Sequence, residues 1–426
     1  MTVSVFTLGC KTNMYESEQL VALLNKRGYK AFCGLKRADI FVINSCAITK
    51  EAEHKSRQAV ARARKLNQNC KVIVVGCASQ NDSAQFLGIE GVTVIRGVGG
   101  KDKIVEEIEN IQHCTDNNIP VVPVLEVEDL PSKYIDFGNA QQAKTRAFIK
   151  IQDGCNNFCS YCIVPYVRGR SRSRSEEDIL KEVAENTLKE IILIGIDISQ
   201  YGVDTNTTLA DLFLHIGQVS NARIRLGSLE QSIITENALL ALTRINFCPH
   251  FHLSLQSGSD NVLRAMNRHY NKAQFMETVT KIRGVFPNVA FTTDIIVGFP
   301  TETAEDFEET CDFVKRVGFA DVHIFPYSPR ENTVASRLYT DMSSNIKEER
   351  ARKLNDIKLQ LKQQFAKSQQ GSTLQVLIEE YKNGYSIGYS PNYLRVYVEG
   401  NITRDTIVDI EILEPYKDGA RGKIRD

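Results

Sequence analysis

Gly154-Cys155-Asn156-Asn157-Phe158-Cys159-Ser160-Tyr161-Cys162 is the stretch from which the rest of the chain is read. Three cysteines at spacing C-x3-C-x2-C follow directly on a strand-like run from Ala147 to Gln152. All three therefore sit on one loop at a strand's end. Thiolates are the usual ligands of iron–sulfur clusters. Three ligands on a four-iron cluster leave one iron open to a substrate or cofactor, much as catalytic zinc keeps an unfilled position. Zinc fits less well, because structural zinc prefers four ligands in C-x2-C pairs and no fourth Cys or His lies nearby. Core packing does not need this spacing, and a disulfide is out of place in a reducing compartment.

Working outward, residues 146–365 carry six strand-like runs separated by helical patterns: Ala147–Gln152, Ile191–Ile196, Arg223–Ser228, His250–Gln256, Val289–Val297 and Asp321–Tyr327. Six βα repeats fit a partial parallel barrel with its chemistry at the carboxyl ends of the strands. Gly195, Asp197, Ser228, Glu230, Gln256, Ser257, Asp294, Gly298 and Tyr327 fall at those ends, on the edge that carries Cys155, Cys159 and Cys162. Each also has a plainer use: the glycines as tight turns, Asp197 and Glu230 as helix caps. Arg168, Arg170, Arg172 and Arg174 form a dense basic run beside the cysteines. It suits a carboxylate or an RNA backbone, or is a solvated turn.

Residues 1–112 alternate strand and helix, which gives an open, doubly wound parallel sheet. Cys10 follows the strand Val3–Leu8, Cys46 follows Ile40–Ser45, and Cys77 follows Val72–Gly76. In such a sheet the carboxyl edge is where ligands bind. The separations of 36 and 31 residues each correspond to one βαβ unit, so neighbouring strands bring the thiols together as a second three-cysteine site. Cys33, Cys70, Cys114, Cys248 and Cys311 do not share this placement and read as incidental or packing residues. Residues 113–145 have little periodicity and read as a linker, with His113 and Cys114 solvated.

The C-terminal part opens with a helix, Lys347 to Lys367, carrying seven basic residues against three acidic ones. It reads as a surface helix or a nucleic-acid contact. Residues 366–426 then switch to a period of two and predict a small β-barrel. Tyr385, Tyr389, Tyr393, Arg395 and Tyr397 cluster there and suit either stacking on unpaired bases or a core. From Gly371 onward the chain has seven basic and nine acidic side chains, so any grip on RNA is local.

The chain has 426 residues, 42% apolar and 24% charged, with 52 basic and 52 acidic side chains. A zero net charge argues against a bulk electrostatic coat for nucleic acid. No apolar run approaches the roughly 18 residues that span a bilayer. The opening Met1-Thr2-Val3-Ser4-Val5 lacks the basic region of a signal peptide, so a cytoplasmic protein is expected. Eleven cysteines in a reducing compartment are expected as thiols or metal ligands.

C-x3-C-x2-C with an aromatic residue before the last cysteine resembles the signature of radical S-adenosylmethionine enzymes. The preceding second cysteine set resembles the methylthiotransferases among them. Thr7-Leu8-Gly9-Cys10-Lys11-Thr12-Asn13 with Tyr15-Glu16-Ser17-Glu18 resembles the opening of the branch that acts on threonylcarbamoyladenosine in tRNA. Asn44-Ser45-Cys46-Ala47-Ile48-Thr49 departs from the commoner Asn-Thr-Cys-Thr-Val-Thr but keeps the ligand. The C-terminal module resembles the TRAM domain, a tRNA-binding fold.

The resemblance implies two 4Fe-4S clusters, one on Cys10, Cys46 and Cys77 and one on Cys155, Cys159 and Cys162. It implies S-adenosylmethionine bound through Tyr161, Gly195, Ser228, Glu230, Gln256 and Asp294. The implied reaction places a methylthio group on carbon 2 of N6-threonylcarbamoyladenosine beside the anticodon of tRNA. An electron donor such as flavodoxin or ferredoxin is implied, and a monomer is expected. The same chemistry on isopentenyladenosine or on a ribosomal-protein aspartate is the nearest alternative. A non-catalytic iron–sulfur RNA sensor is the alternative of another class. If the reaction holds, both open irons face one cavity between the two cysteine-bearing units.

Overall fold

The computed structural model describes residues 1–140 and 145–425; residues 141–144 of the expected linker lie outside the described residues. Its first unit is a six-stranded sheet: β1 (Thr2–Thr7), β2 (Lys30–Cys33), β3 (Ile40–Ser45), β4 (Lys71–Gly76), β5 (Val92–Arg96) and β6 (Val124–Glu126). The order is β2-β1-β3-β4-β5-β6 and every pairing is parallel. β3 is buried along its whole length, as expected for a strand covered by helices on both faces. After β1 the chain turns outward to β2 and returns to β3 on the other side. The crevice beyond β1 and β3 is therefore the switch point at which such sheets bind ligands. β6 is a departure from the structureless linker expected at 113–145. Val124 and Leu125 pair with Val94 and Ile95, and the helix Ile104–Asp116 takes in His113 and Cys114. Only three residues make the strand, too few for a period to show.

The second unit begins with β7 (Arg146–Lys150). The two-residue strands β8 (Gln152–Asp153) and β9 (Arg172–Ser173) pair antiparallel and pin the ends of the cysteine loop. β10 (Glu190–Ile194), β11 (Arg223–Leu226), β12 (Ser228–Leu229), β13 (His250–Leu253), β14 (Ala290–Val297) and β15 (Asp321–Pro326) follow. The ladders β7-β10-β11 and β12-β13-β14-β15 are parallel throughout, and only Gly227 separates β11 from β12, so the strands form a partial barrel in chain order. Phe251, Leu253, Phe291, Ile295 and Val322 point outward into the core beneath the helices. The helix Ala304–Val317 shows how local sequence fixes these elements. Thr303 and Asp306 form a capping box at its start, and Gly318 ends it in the left-handed region at φ +68°.

The helix Ser344–Ser368 crosses to the last unit. Of its seven basic residues, five pair with acids of the barrel unit: Lys347 with Asp341, Arg350 with Glu302, Lys353 with Glu308, and Lys358 and Lys362 with Asp321. These pairs turn the basic side toward the barrel unit, which corrects the expectation of an RNA contact, while most of the helix stays exposed as a surface helix. β16 (Thr373–Lys382), β17 (Tyr385–Tyr389), β18 (Arg395–Glu399), β19 (Ile407–Tyr416) and β20 (Gly419–Ile424) close into a barrel in the order β16-β17-β18-β20-β19. Among the described residues, no helix is long and apolar enough to cross a membrane.

Candidate active site

Register places the first cysteine set. Thr7 pairs with Asn44 across β1 and β3, and Ser45 pairs with Gly76 across β3 and β4. Cys10, Cys46 and Cys77 therefore leave three adjacent strands at one edge. Cys10 caps the helix Lys11–Lys26, and Cys77 opens a short helix. A polar lattice holds the three loops in step. Asn13 Nδ2 donates to the carbonyls of Leu8 (2.8 Å) and Ser45 (3.1 Å), and Asn44 Nδ2 donates to the carbonyl of Asn13 (3.0 Å). Ser45 Oγ donates to the Val75 carbonyl (2.8 Å) and accepts from the N–H of Ala78 (3.2 Å). Gly9 sits at φ +98°, and a Cβ there would lie 2.6 Å from Cys46 Sγ. Only glycine leaves that sulfur its place.

The second set lies on the loop between β8 and β9. Cys155 N–H donates to the Gly169 carbonyl at 3.1 Å, and Cys162 N–H to that of Cys159 at 3.0 Å. Polar groups surround its sulfurs. Arg268 Nη1 lies 3.2 Å from Cys159 Sγ, and Gln200 Nε2 lies 3.8 Å from Cys155 Sγ. Asn157 Nδ2 donates to Asp197 (2.9 Å) and to Glu230 (3.1 Å), and Arg268 pairs with Glu230 at 3.2 Å. Burial raises the Asp197 carboxyl above its usual range, with the charge of Glu230 adding to it.

All eleven cysteines are free thiols. Burial pushes Cys46 and Cys162 up to about 12, and raises Cys77 and Cys155 as well. Such thiols stay protonated until a metal's charge holds the thiolate. A single tetrahedral zinc, with zinc–sulfur bonds of about 2.3 Å, would draw its sulfurs to about 3.8 Å apart. Neither cysteine set gathers its three sulfurs within 4.8 Å; among the described residues that closeness occurs at His252, Asp294 and His323. Three thiols per set, with Arg268 and Gln200 donating beside the second set's sulfurs, suit the ligation of an iron–sulfur cluster.

One cavity of about 870 Å³ reaches both sets, the second through Cys162 alone, with Cys155 and Cys159 outside its lining. Gly9, Cys10, Lys11 and Cys46 line it from the first unit, Tyr161 and Cys162 from the cysteine loop, and Tyr389, Tyr393 and Arg395 from the last unit. Cys77 lies behind the lining, buried. Five expected cofactor contacts, Tyr161, Gly195, Ser228, Gln256 and Asp294, line this chamber. Glu230 does not; it is held by Arg268 and Asn157 behind the loop. Gln256 sits in the left-handed region at φ +67°, a strained backbone for a non-glycine residue at a strand end.

The basic run is not a patch. Arg168, Arg172 and Arg174 are buried, and only Arg170 is exposed, its guanidinium 4.3 Å from the Phe158 ring centre. Arg168 binds Glu16 (3.0 Å) and Asp153 (2.9 Å), Arg172 binds Asp153 (3.3 Å), and Arg174 binds Asp136 (2.6 Å) and Glu182. The aromatic cluster of the last unit also divides. Tyr389 stacks on Tyr393 (4.9 Å) and Tyr393 on His250 (4.7 Å), closing the barrel floor. Tyr385 and Tyr397 group instead with Tyr416 and Lys417.

Sequence reasoning missed the histidines inside the barrel. His250 and His252 alternate with the outward Phe251 and Leu253, a two-residue period that gave the signal. Asp294 binds His252 (3.3 Å) and His323 (3.1 Å); burial opposes its charge, but these partners hold it well below the carboxylate range. Burial holds His250 well below the usual histidine value, with Arg225, His252 and Lys11 adding in the same direction.

The Radical SAM superfamily model matches residues 149–314, and that of "Uncharacterized protein family UPF0004" matches residues 2–97. The chain is 35% identical to the threonylcarbamoyladenosine tRNA methylthiotransferase MtaB of Bacillus subtilis, over 98% of this chain and 96% of that protein. It is 36% identical to the protein of that name in Thermotoga maritima, over 94% and 92%. It is 35% identical to a tRNA-2-methylthio-N(6)-dimethylallyladenosine synthase of Thermoanaerobacter, over 88% and 81%. Among solved structures, the radical S-adenosylmethionine methyltransferase TsrM of Kitasatospora setae shares the fold, with a TM-score of 0.58 at 11% identity over 79% of this chain and 77% of that one.

Proposed function

The chain belongs to the radical S-adenosylmethionine tRNA methylthiotransferases, and on that footing we propose that its substrate is N6-threonylcarbamoyladenosine beside the anticodon of tRNA. The shared chamber, lined by Cys10 and Cys46 on one side and Cys162 on the other, supports the methylthiolation chemistry, and the full-length likeness to the threonylcarbamoyladenosine enzymes supports the substrate. Cys10, Cys46 and Cys77 would hold one 4Fe-4S cluster, and Cys155, Cys159 and Cys162 the other. When bound, the second cluster would supply the electron for reductive cleavage of S-adenosylmethionine, and the first would supply the site for the sulfur to be transferred. A strong, unactivated C–H bond lies beyond side-chain acid–base chemistry, which is why a cofactor carries that step.

The protein's own part is placement and exclusion. Tyr161, Gly195, Ser228, Gln256 and Asp294 line the space between the two cysteine sets and would hold S-adenosylmethionine there. Arg268, donating toward Cys159 Sγ, orients that thiolate and stabilises its charge. Tyr389 and Tyr393, stacked with His250, line the floor of that space. In the last unit, which we read as a TRAM domain, Tyr385, Tyr397, Tyr416 and Lys417 supply stacking surface and positive charge for the RNA. We place the protein in the cytoplasm, with an electron donor such as flavodoxin or ferredoxin.

Nucleoside mass spectrometry of tRNA from a strain lacking the gene tests the reading. Loss of the 2-methylthio form of threonylcarbamoyladenosine supports it. Loss of the 2-methylthio form of dimethylallyladenosine instead assigns the enzyme to the other branch.

A further inference from the structure

The chamber's charges are nearly all cancelled from within, and one is not. Arg225 is paired with Glu190 (2.8 Å), Lys362 with Asp321 (2.8 Å), and Arg395 with Asp418 (2.9 Å) and Glu380 (3.1 Å). The acids Asp294, Asp321 and Asp418 are each taken by those bases or by His252 and His323. Lys11 also lines the chamber and has no carboxylate partner among the described residues. Its Nζ lies 5.9 Å from the Phe148 ring centre, a weak contact that leaves its donors free. Among the described residues, Lys11 is thus the lining base whose ammonium no carboxylate takes, and it adjoins Cys10.

We propose that Lys11 binds the threonyl carboxylate of the substrate nucleoside and is the residue that separates threonylcarbamoyladenosine from adenosines with uncharged N6 groups. This deepens the substrate reading above and rests on it. Carbon 2 and carbon 6 of adenine flank N1, so the N6 substituent projects from the same edge that receives sulfur at carbon 2. A residue adjoining Cys10 is in place to meet that substituent when carbon 2 faces the first cysteine set. The ammonium gains a charge-assisted bond to the carboxylate. A dimethylallyl group offers Lys11 no such partner, so that bond is lost.

S-adenosylmethionine also carries a carboxylate, so the test separates the two sources. The full chain, reconstituted without oxygen, is assayed on tRNA bearing threonylcarbamoyladenosine and on the same tRNA with the threonyl carboxylate converted to a neutral amide. Wild type is expected to prefer the acid by about ten- to a hundredfold in kcat/KM, the usual worth of a hydrogen bond to a charged group. Lys11→Gln is expected to lower the rate on the acid by that factor and bring acid and amide to one value. Lys11→Arg keeps part of the preference.

Equilibrium binding of the two RNAs to the cluster-free protein is expected to show the same narrowing. A preference that persists undiminished in Lys11→Gln overturns the assignment and leaves the reaction as proposed. A loss of 5′-deoxyadenosine formation in the absence of RNA, equal to the loss on the acid, also overturns it, because Lys11 then serves S-adenosylmethionine. A wild-type enzyme that modifies dimethylallyladenosine tRNA alone overturns the substrate reading itself.

Discussion

Arg168 and Glu16 meet across the two cysteine-bearing units: Nη1 of Arg168 lies 3.0 Å from Oε1 of Glu16, and both side chains are buried. Glu16 also binds Lys150 (2.6 Å) and Lys101, and Asp153 binds Arg168, Lys150 and Arg172. Arg168 is one residue before the Gly169 carbonyl that receives the Cys155 N–H, and Glu16 lies on the helix that Cys10 caps. This buried network is the mechanical link that sets one cysteine set against the other.

Glu16→Gln removes the acid shared by three buried cations. Breaking such a pair from one side costs about 3–5 kcal/mol, since the remaining charges stay buried. Urea denaturation is expected to show a loss of that order. A change below about 1 kcal/mol, the scale of surface pairs, would contradict the network's role.

The same network fixes an acid limit. Burial pushes the Glu16 and Asp153 carboxyls up, but Arg168 and Lys150 prevail and hold both below the usual range. The unfolded chain therefore takes up these protons first as pH falls. Stability from this source is complete above about pH 5 and is lost progressively below the ordinary carboxylate values near 4. Unfolding free energy measured against pH is expected to fall on that acid side, and less steeply in Glu16→Gln. Equal slopes would show that the network contributes no linkage.

The basic run gives a contrast between neighbours. Arg174→Ala strips Glu182 and Asp136 of their buried partner and is expected to cost about 3–5 kcal/mol. Arg170→Ala loses a surface contact on Phe158, about 0.5–1 kcal/mol. Comparable losses at both positions in thermal or urea unfolding would restore the idea of a solvent-facing patch.

Gly9→Ala should act on one cysteine set alone. A methyl at φ +98° would press on Cys46 Sγ. Iron in the reconstituted protein is expected to drop from about eight to about four per chain, while 5′-deoxyadenosine is still formed with reductant. Retention of full iron would mean that Cys46 does not need that space.

Arg268→Ala removes the donor 3.2 Å from Cys159 Sγ. Loss of such an outer contact typically costs about 10–100-fold in metal affinity. Removing a positive donor from a ligand sulfur also makes the cluster harder to reduce. A redox titration followed by electron paramagnetic resonance is expected to show a more negative potential; an unchanged one would give Arg268 a purely structural role.

Much of this was legible in the sequence because it depends on local periods. Strand ends and the cysteines beyond them follow from apolar runs such as Ile40–Ser45, and register then gathers Cys10, Cys46 and Cys77 at one edge. The arginines misled because their partners lie far off in the chain: Glu16 is 152 residues from Arg168. A charge run shows its sign in sequence but not its burial. The basic helix misled for the same reason, its acids Glu302, Glu308 and Asp321 belonging to the barrel. Lys11 stood in the sequence only as part of a motif; that it lacks a carboxylate among the described residues emerges only once Arg225, Lys362 and Arg395 are seen paired in the chamber.

Replacing Cys10, Cys46 and Cys77 together by alanine tests the shared chamber most directly. With reductant and tRNA, the variant is expected to keep cleaving S-adenosylmethionine to 5′-deoxyadenosine at Cys155, Cys159 and Cys162 while forming no methylthiolated nucleoside. Methylthiolation at the wild-type rate would contradict the division of labour between the two cysteine sets.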